Sequence, residues 1–99
     1  MARLALDAGA REDLERLADF LLATDAAAAA ETESLIFDVL AILEGHPLIG
    51  RLVEGGLREL VISRGRSGYV ALYEYREAQD LVVILAVRHQ REAGFPEQR

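Results

Sequence analysis

Residues 69–92 read YVALYEYREAQDLVVILAVRHQRE, and this stretch decides the fold. Its second half, residues 81–87, is continuously apolar and rich in β-branched side chains, which is typical of a central strand covered on both faces. Its first half places Tyr69, Tyr73 and Tyr75 at odd-numbered positions, so a strand puts all three on one face. The stretch therefore predicts a buried hairpin whose inner strand ends in a basic cluster.

Length and composition limit what the chain can be. With 99 residues we expect one domain, residues 1–99, in which residues 93–99 form a loose tail. The chain has no cysteine and two histidines, so a thiolate or zinc site is not expected, and we predict neither a metal nor a cofactor. Because no apolar run approaches a membrane span and no signal peptide is visible, we expect a cytoplasmic protein.

The net charge of −6 is distributed unevenly. Residues 1–50 hold three arginines against ten acidic residues, whereas residues 51–99 hold eight against seven. Every basic residue is arginine, so a phosphate-binding loop or a catalytic base that needs lysine is excluded. The acidic balance also argues against extended or sequence-specific binding of nucleic acid, which needs a basic stripe.

The first half of the chain has the periodicity of two helices. After a short strand over residues 1–6, Asp7 is a plausible N-cap of the first helix and Asp25 of the second. Gly45 ends the second helix, with Pro47 two residues later. The short connection makes the two helices antiparallel. Two apolar stripes at helical spacing support this prediction, namely Leu14, Leu17, Ala18, Leu21 and Leu22, and then Leu35, Ile36, Val39, Leu40 and Leu43.

The second half predicts a glycine-containing connector over residues 46–56 and three strands. The first strand covers residues 57–63, with Leu60 and Ile62 on one face and Val61 on the other. The predicted fold is α+β in the order β-α-α-β-β-β, with the helical hairpin on one face of a small antiparallel sheet. The other face is left uncovered, and we expect Val70 and Leu72 there, opposite the tyrosines. Such an apolar sheet face favours a protein partner.

Several of these segments together resemble the RelE/ParE superfamily of bacterial type II toxin–antitoxin toxins. The resemblance covers nearly the whole chain, and the ParE branch matches better than the RelE branch. It implies a cognate antitoxin whose C-terminal segment wraps the toxin. Besides the helical hairpin, it rests on the segments HPLIGR at 46–51, LREL at 57–60, GYVALY at 68–73 and VVILAVRHQR at 82–91.

The resemblance implies one of two activities. RelE-like toxins cut messenger RNA on the ribosome, whereas ParE-like toxins poison DNA gyrase. Where the ribonuclease pattern has an arginine after the Gly-Tyr pair, this chain has Val70, and its C-terminal aromatic is Phe95, which has no hydroxyl. If the chain is a ribonuclease, the residues that could supply a base and cations for the phosphorane are Arg58, Arg88, His89 and Arg91.

We therefore expect a ParE-like toxin that binds a protein target, with gyrase implied by the resemblance. The predicted target-binding residues are Arg88, His89, Arg91 and Phe95. The predicted antitoxin-binding residues are Val70, Leu72 and Arg58. A ribosome-dependent ribonuclease and a degenerate toxin that only binds antitoxin are the alternatives, and the sequence leaves a homodimer open.

Overall fold

The computed structural model describes residues 1–64 and 67–90, with the side chains of residues 63, 64 and 67 excepted. It confirms the predicted order of elements and adds a two-residue strand inside the connector. Short 3-10 turns occupy Glu54–Gly56 and Glu77–Gln79. The helices and strands are β1 (Arg3–Leu6), α1 (Ala8–Leu22), α2 (Ala26–Gly45), β2 (Arg51–Leu52), β3 (Arg58–Arg64), β4 (Ser67–Arg76) and β5 (Leu81–His89).

The five strands form one sheet in the order β1-β5-β4-β3-β2. The strands from β2 to β5 pair antiparallel, as expected, but β1 runs parallel to β5, so the sheet is mixed. Parallel pairing is possible because the helical hairpin separates β1 from the rest of the sheet in the sequence. Strand β5 therefore has a strand on each side, as its continuous apolar run predicts.

Both helices pack on one face of this sheet, which confirms the α+β class. Leu17 of α1 and Ile36, Leu40 and Leu43 of α2 are buried, so both predicted stripes face the core. The exception is Leu22, the last residue of α1, which was predicted in the first stripe but is 57% exposed. On the sheet side, Tyr73 is fully buried. No helix in the described part of the chain is long and apolar enough to cross a membrane.

A β-bulge in the central hairpin sets which side chains reach the core. Leu72 pairs with Ala86 whereas Tyr73 pairs with Ile84, so Leu85 is an extra residue in β5. The extra residue shifts the alternation, and both Ile84 and Val87 consequently point into the core, where neither is exposed to solvent. The bulge thereby lets β5 contribute buried side chains to the core on both sides of it.

The two helices begin differently, although both begin after an aspartate. The Asp25 carboxylate accepts hydrogen bonds from the backbone N–H groups of Ala27 and Ala28, at 3.0 and 3.3 Å. Asp7 occupies the corresponding position before α1, but its side chain makes no capping hydrogen bond. The predicted cap is therefore present by side chain at α2 only.

We expect Asp25→Ala to lower the free energy of unfolding by about 1 kcal/mol, because two N–H groups at the start of α2 lose their acceptor. Asp7→Ala is the matched control and should cost less than about 0.5 kcal/mol, since only its charge near the helix dipole is lost. Urea denaturation of both variants measures the difference. Equal losses would show that the Asp25 cap is not what stabilises α2.

Candidate functional site

The sheet face turned away from the helices carries an apolar strip. Val70 on β4 pairs with Val61 on β3 and with Arg88 on β5, so these three side chains lie side by side across the sheet. Val61 is 54% exposed, and Val70 and Leu72 are partly exposed. The structure thus places Val70 and Leu72 on the face predicted for them, with Arg88 at one end of the strip.

Arg88 is held against helix α1. Its Nε donates to Oδ2 of Asp13 at 3.4 Å, and its side chain is only 27% exposed. The same carboxylate oxygen accepts the backbone N–H of Val87 at 2.9 Å. Arg88 is therefore held in place by a contact with α1 and is not simply an exposed charge at a strand end. The sequence did not predict the role of Asp13, because Asp13 lies 75 residues away in the chain.

The other residues of the predicted target-binding cluster are only partly described. The ring of His89 meets the ring of Tyr69 edge to face, with centroids 5.2 Å apart. His89 is partly buried by this contact. Arg91 and Phe95 lie outside the described residues. Arg88 and His89 are both positioned, but they start from opposite faces of β5, because Arg88 lies beside Val70 and His89 beside Tyr69.

Arg58 does not lie on the open face with Val70 and Leu72. It pairs with Tyr73, whose side chain points to the helices, and its Nη1 donates to the carbonyl oxygen of Gly50 at 2.8 Å and to that of Leu48 at 3.2 Å. The guanidinium therefore holds the connector after α2. The structure does not bring Arg58 together with the other two predicted antitoxin-binding residues.

The hydroxyl of Tyr73 on β4 also holds this connector in place, from the sheet side. It donates to the carbonyl oxygen of Pro47 and accepts the N–H of Gly50, both at 2.9 Å. A Cβ at position 50 would lie 2.7 Å from the carbonyl oxygen of Glu59, so only glycine fits there. Burial raises the pKa of Tyr73, although the Gly50 N–H and the positive charge of Arg58 oppose the rise.

The fixed connector presents two apolar side chains to solvent. Leu48 and Ile49 are 57% and 56% exposed, and Leu52 of β2 follows at 60%. The sequence predicts residues 46–56 only as a connector, so this patch was missed. The sequence does contain Gly50 and, on the predicted buried face of β4, Tyr73. Their spacing alone does not indicate that the two residues are in contact.

The candidate ribonuclease residues are not gathered around one point. Arg58 pairs with Tyr73 and His89 pairs with Tyr69, so they are four residues apart along β4 and on opposite sides of it. That separation is roughly 13 Å along the strand, too far for both to contact one scissile phosphate. Among the described residues, no three His, Asp or Glu side chains are grouped to hold a metal ion.

Comparison with known proteins assigns the family. The family model described as "ParE toxin of type II toxin-antitoxin system, parDE" matches residues 4–94. The chain belongs to this family. A relative from Caulobacter vibrioides, named Toxin RelE3, is 37% identical over 92 residues, which is 93% of this chain and 98% of the relative. The resemblance to the RelE/ParE superfamily seen in the sequence is therefore confirmed.

Solved structures of both branches of the superfamily share the fold. The toxin of a chromosomal ParDE system from P. aeruginosa superposes with a TM-score of 0.75 at 21% identity, covering 89% of this chain and 95% of that one. The RelBE2 complex of Mycobacterium tuberculosis gives a TM-score of 0.60 at 25% identity, with 89% and 96% covered. Because ParE-type and RelE-type structures both match, the fold by itself does not select an activity.

We expect Tyr73→Phe to lower the free energy of unfolding by about 1–3 kcal/mol, because the buried N–H of Gly50 loses its acceptor. Tyr69→Phe is the matched control, since the Tyr69 ring is also buried but its hydroxyl has no hydrogen bond within the described residues. Urea denaturation compares the two. A loss from Tyr69→Phe as large as that from Tyr73→Phe would contradict this role.

The pH dependence gives a second measurement on the same variant. Because the folded protein raises the pKa of Tyr73, the unfolded chain ionises first, and stability falls as the pH rises above about 10. Tyr73→Phe should make that fall shallower. Part of the loss of stability at high pH should remain in this variant, because the hydrogen bond from Tyr75 to Asp80 also raises the pKa of Tyr75.

Proposed function

We propose that this toxin acts by binding a protein target, DNA gyrase, in the cytoplasm, and that a cognate antitoxin neutralises it. Membership of the ParE toxin family gives the class of protein. The proposal about the target rests above all on Val70, an uncharged residue at the position where the ribonuclease pattern has an arginine. Val70 lies on the open face of the sheet, opposite the buried tyrosines.

The arginines of the described sheet are already engaged within the chain. Cleavage of RNA develops charge on a phosphorane, which must be met by cations aimed at it. Here the five sheet guanidiniums that the structure describes each have an intramolecular acceptor, which weakens the case for cleavage. The pairs are Arg3 with the Gln79 carbonyl, Arg51 with Glu59, Arg58 with the Gly50 carbonyl, Arg76 with Glu74 and Arg88 with Asp13.

The proposed target surface is the basic end of β5. Both residues lie at the end of a buried strand, where Asp13 contacts Arg88 and Tyr69 contacts His89. Arginine contributes strongly to protein interfaces when its planar fork is desolvated against carboxylates. Arg91 and Phe95 complete this proposed surface from the sequence.

The proposed antitoxin surface is the apolar strip of Val61, Val70 and Leu72. The matching solved structures are themselves toxin–antitoxin complexes, which supports an antitoxin partner. Since the toxin is acidic overall, at −6, simple attraction between a basic toxin and an acidic antitoxin does not account for binding. Apolar contact is the better-supported source of affinity.

A ribosome-dependent ribonuclease is the second candidate. It is favoured by the name of the 37% identical relative, Toxin RelE3. In that case His89 would act as the base, and Arg88 and Arg91 are the cations that the sequence offers for the phosphorane. Arg58 would not take part, because it lies too far from His89.

Two assays on the purified toxin test the proposal. We expect it to inhibit supercoiling of plasmid DNA by gyrase and to leave messenger RNA intact on translating ribosomes. Addition of the antitoxin should reverse the inhibition, which is the control for a folded and specific toxin. Cuts in the ribosomal A site would establish the ribonuclease instead, and activity in neither assay would indicate a degenerate toxin.

A further inference from the structure

The side chain of Arg88 crosses from one face of the sheet toward the other. It starts on the open face beside Val70, whereas its hydrogen-bond partner Asp13 belongs to α1, which packs on the opposite face. The contact is therefore made around the outer edge of β5. This route exists because β1 pairs with β5 only as far as Ile84, and none of the described strands lies beside β5 after that residue.

Asp13 takes the place of a neighbouring strand at this edge. The N–H of Val87 points outward from β5, and Oδ2 of Asp13 accepts it at 2.9 Å. The Asp13 side chain is only 13% exposed, so its carboxylate needs hydrogen-bond donors to offset the loss of water. The bond to Val87 requires an acceptor oxygen, which an asparagine also has. It does not require a negative charge.

The negative charge of Asp13 acts on Arg88. The same Oδ2 atom accepts Nε of Arg88 at 3.4 Å. Nε is the guanidinium nitrogen joined to the aliphatic stem, so a contact there sets the direction of the whole group. Arg16 also approaches this carboxylate, with Nη2 at 3.7 Å from Oδ1, but it lies on the same helix as Asp13. Because the outer edge is the side of β5 opposite to β4, the contact with Asp13 turns Arg88 away from Val70.

We propose that Asp13 is a positioning residue for the toxic activity, and that its charge holds the Arg88 guanidinium in the orientation that binds the target. This rests on the proposed function, in which Arg88 contacts the target protein. Without the charge, the long side chain of Arg88 regains conformational freedom and can lie over Val70 instead. Ordering it again on binding would weaken the affinity for the target about three- to tenfold.

Asp13→Asn removes the charge and keeps the acceptor. Its side-chain oxygen should still accept the Val87 N–H, whereas the charge-assisted bond to Arg88 becomes a weaker neutral one. Asp19→Asn is the matched control, because it removes the same charge from an exposed position of the same helix. A difference between the two variants therefore reports the contact with Arg88 and not the net charge of α1.

Solution NMR reports the position of Arg88 independently of any target. We expect its Nε–H proton, assigned by its absence from Arg88→Ala, to exchange with water at least about tenfold more slowly in the wild type than in Asp13→Asn. The amide proton of Val87 should stay protected in both proteins, which would show that α1 and β5 remain in contact. A rapidly exchanging Nε–H in the wild type would overturn the proposal without reference to any variant.

Inhibition of gyrase and growth arrest without antitoxin report the functional consequence. Asp13→Asn should require about three to ten times more toxin for half-inhibition of supercoiling and should arrest growth less. Asp19→Asn should stay within about twofold of the wild type, and antitoxin affinity should change less than about twofold in both variants. Asp13→Glu keeps the charge on a side chain longer by one methylene group, and it should inhibit better than Asp13→Asn.

Several results would reject the positioning role. Wild-type inhibition by Asp13→Asn would show that Arg88 does not need Asp13, and stronger inhibition would show that Asp13 competes with the target for Arg88. Loss of both Val87 protection and activity in Asp13→Asn, without recovery in Asp13→Glu, would make Asp13 purely structural. If the wild type does not inhibit gyrase, the proposed target is wrong, and growth arrest by the same variants then decides the positioning role.

Discussion

The structure depends on the burial of β5 at the centre of the sheet. β5 lies between β1 and β4 and beneath α1, and Val82, Ile84 and Val87 are fully buried there. Asp13 of α1 accepts the N–H of Val87 beyond the point where β1 ends, so helix and strand are also joined by a directional bond. Apolar burial supplies most of the free energy here, and the hydrogen bond fixes the position of the helix relative to the strand.

Two adjoining surfaces with different proposed roles follow from this arrangement. Where β5 leaves the core, Asp13 holds Arg88 at the end of the strand, and this end is the proposed target surface. Across the sheet, the two helices cover one face and leave Val61 and Val70 on the other, which is the proposed antitoxin surface. The two surfaces meet at the pairing of Val70 with Arg88, so an antitoxin on the strip would lie directly beside the arginine. Neutralisation can therefore be explained by steric exclusion of the target.

The parts of the structure that were predicted from the sequence depend on local patterns. Both helical stripes and the position of Val70 on the open face follow from repeats of 3.6 or two residues, and β5 follows from its continuous apolar run. The bulge at Leu85 breaks that repeat, and the two-residue β2 is too short to show one. The bonds from Tyr73 to the connector and from Asp13 to Arg88 join residues far apart in the chain, and no local pattern encodes them. The features of the site that the sequence did not predict are therefore those fixed by tertiary hydrogen bonds.

The separation of the two surfaces is tested most directly by Arg88→Ala and Val70→Asp, each assayed for growth arrest without antitoxin, antitoxin affinity and melting temperature. We predict that Arg88→Ala relieves growth arrest, changes antitoxin affinity less than about threefold and costs about 1 kcal/mol of stability through the lost Asp13 contact. Val70→Asp should weaken antitoxin binding more than about a hundredfold, because it places a carboxylate in an apolar contact, and should remain toxic. Full toxicity of Arg88→Ala, or equal loss of both functions in both folded variants, would contradict two separate surfaces.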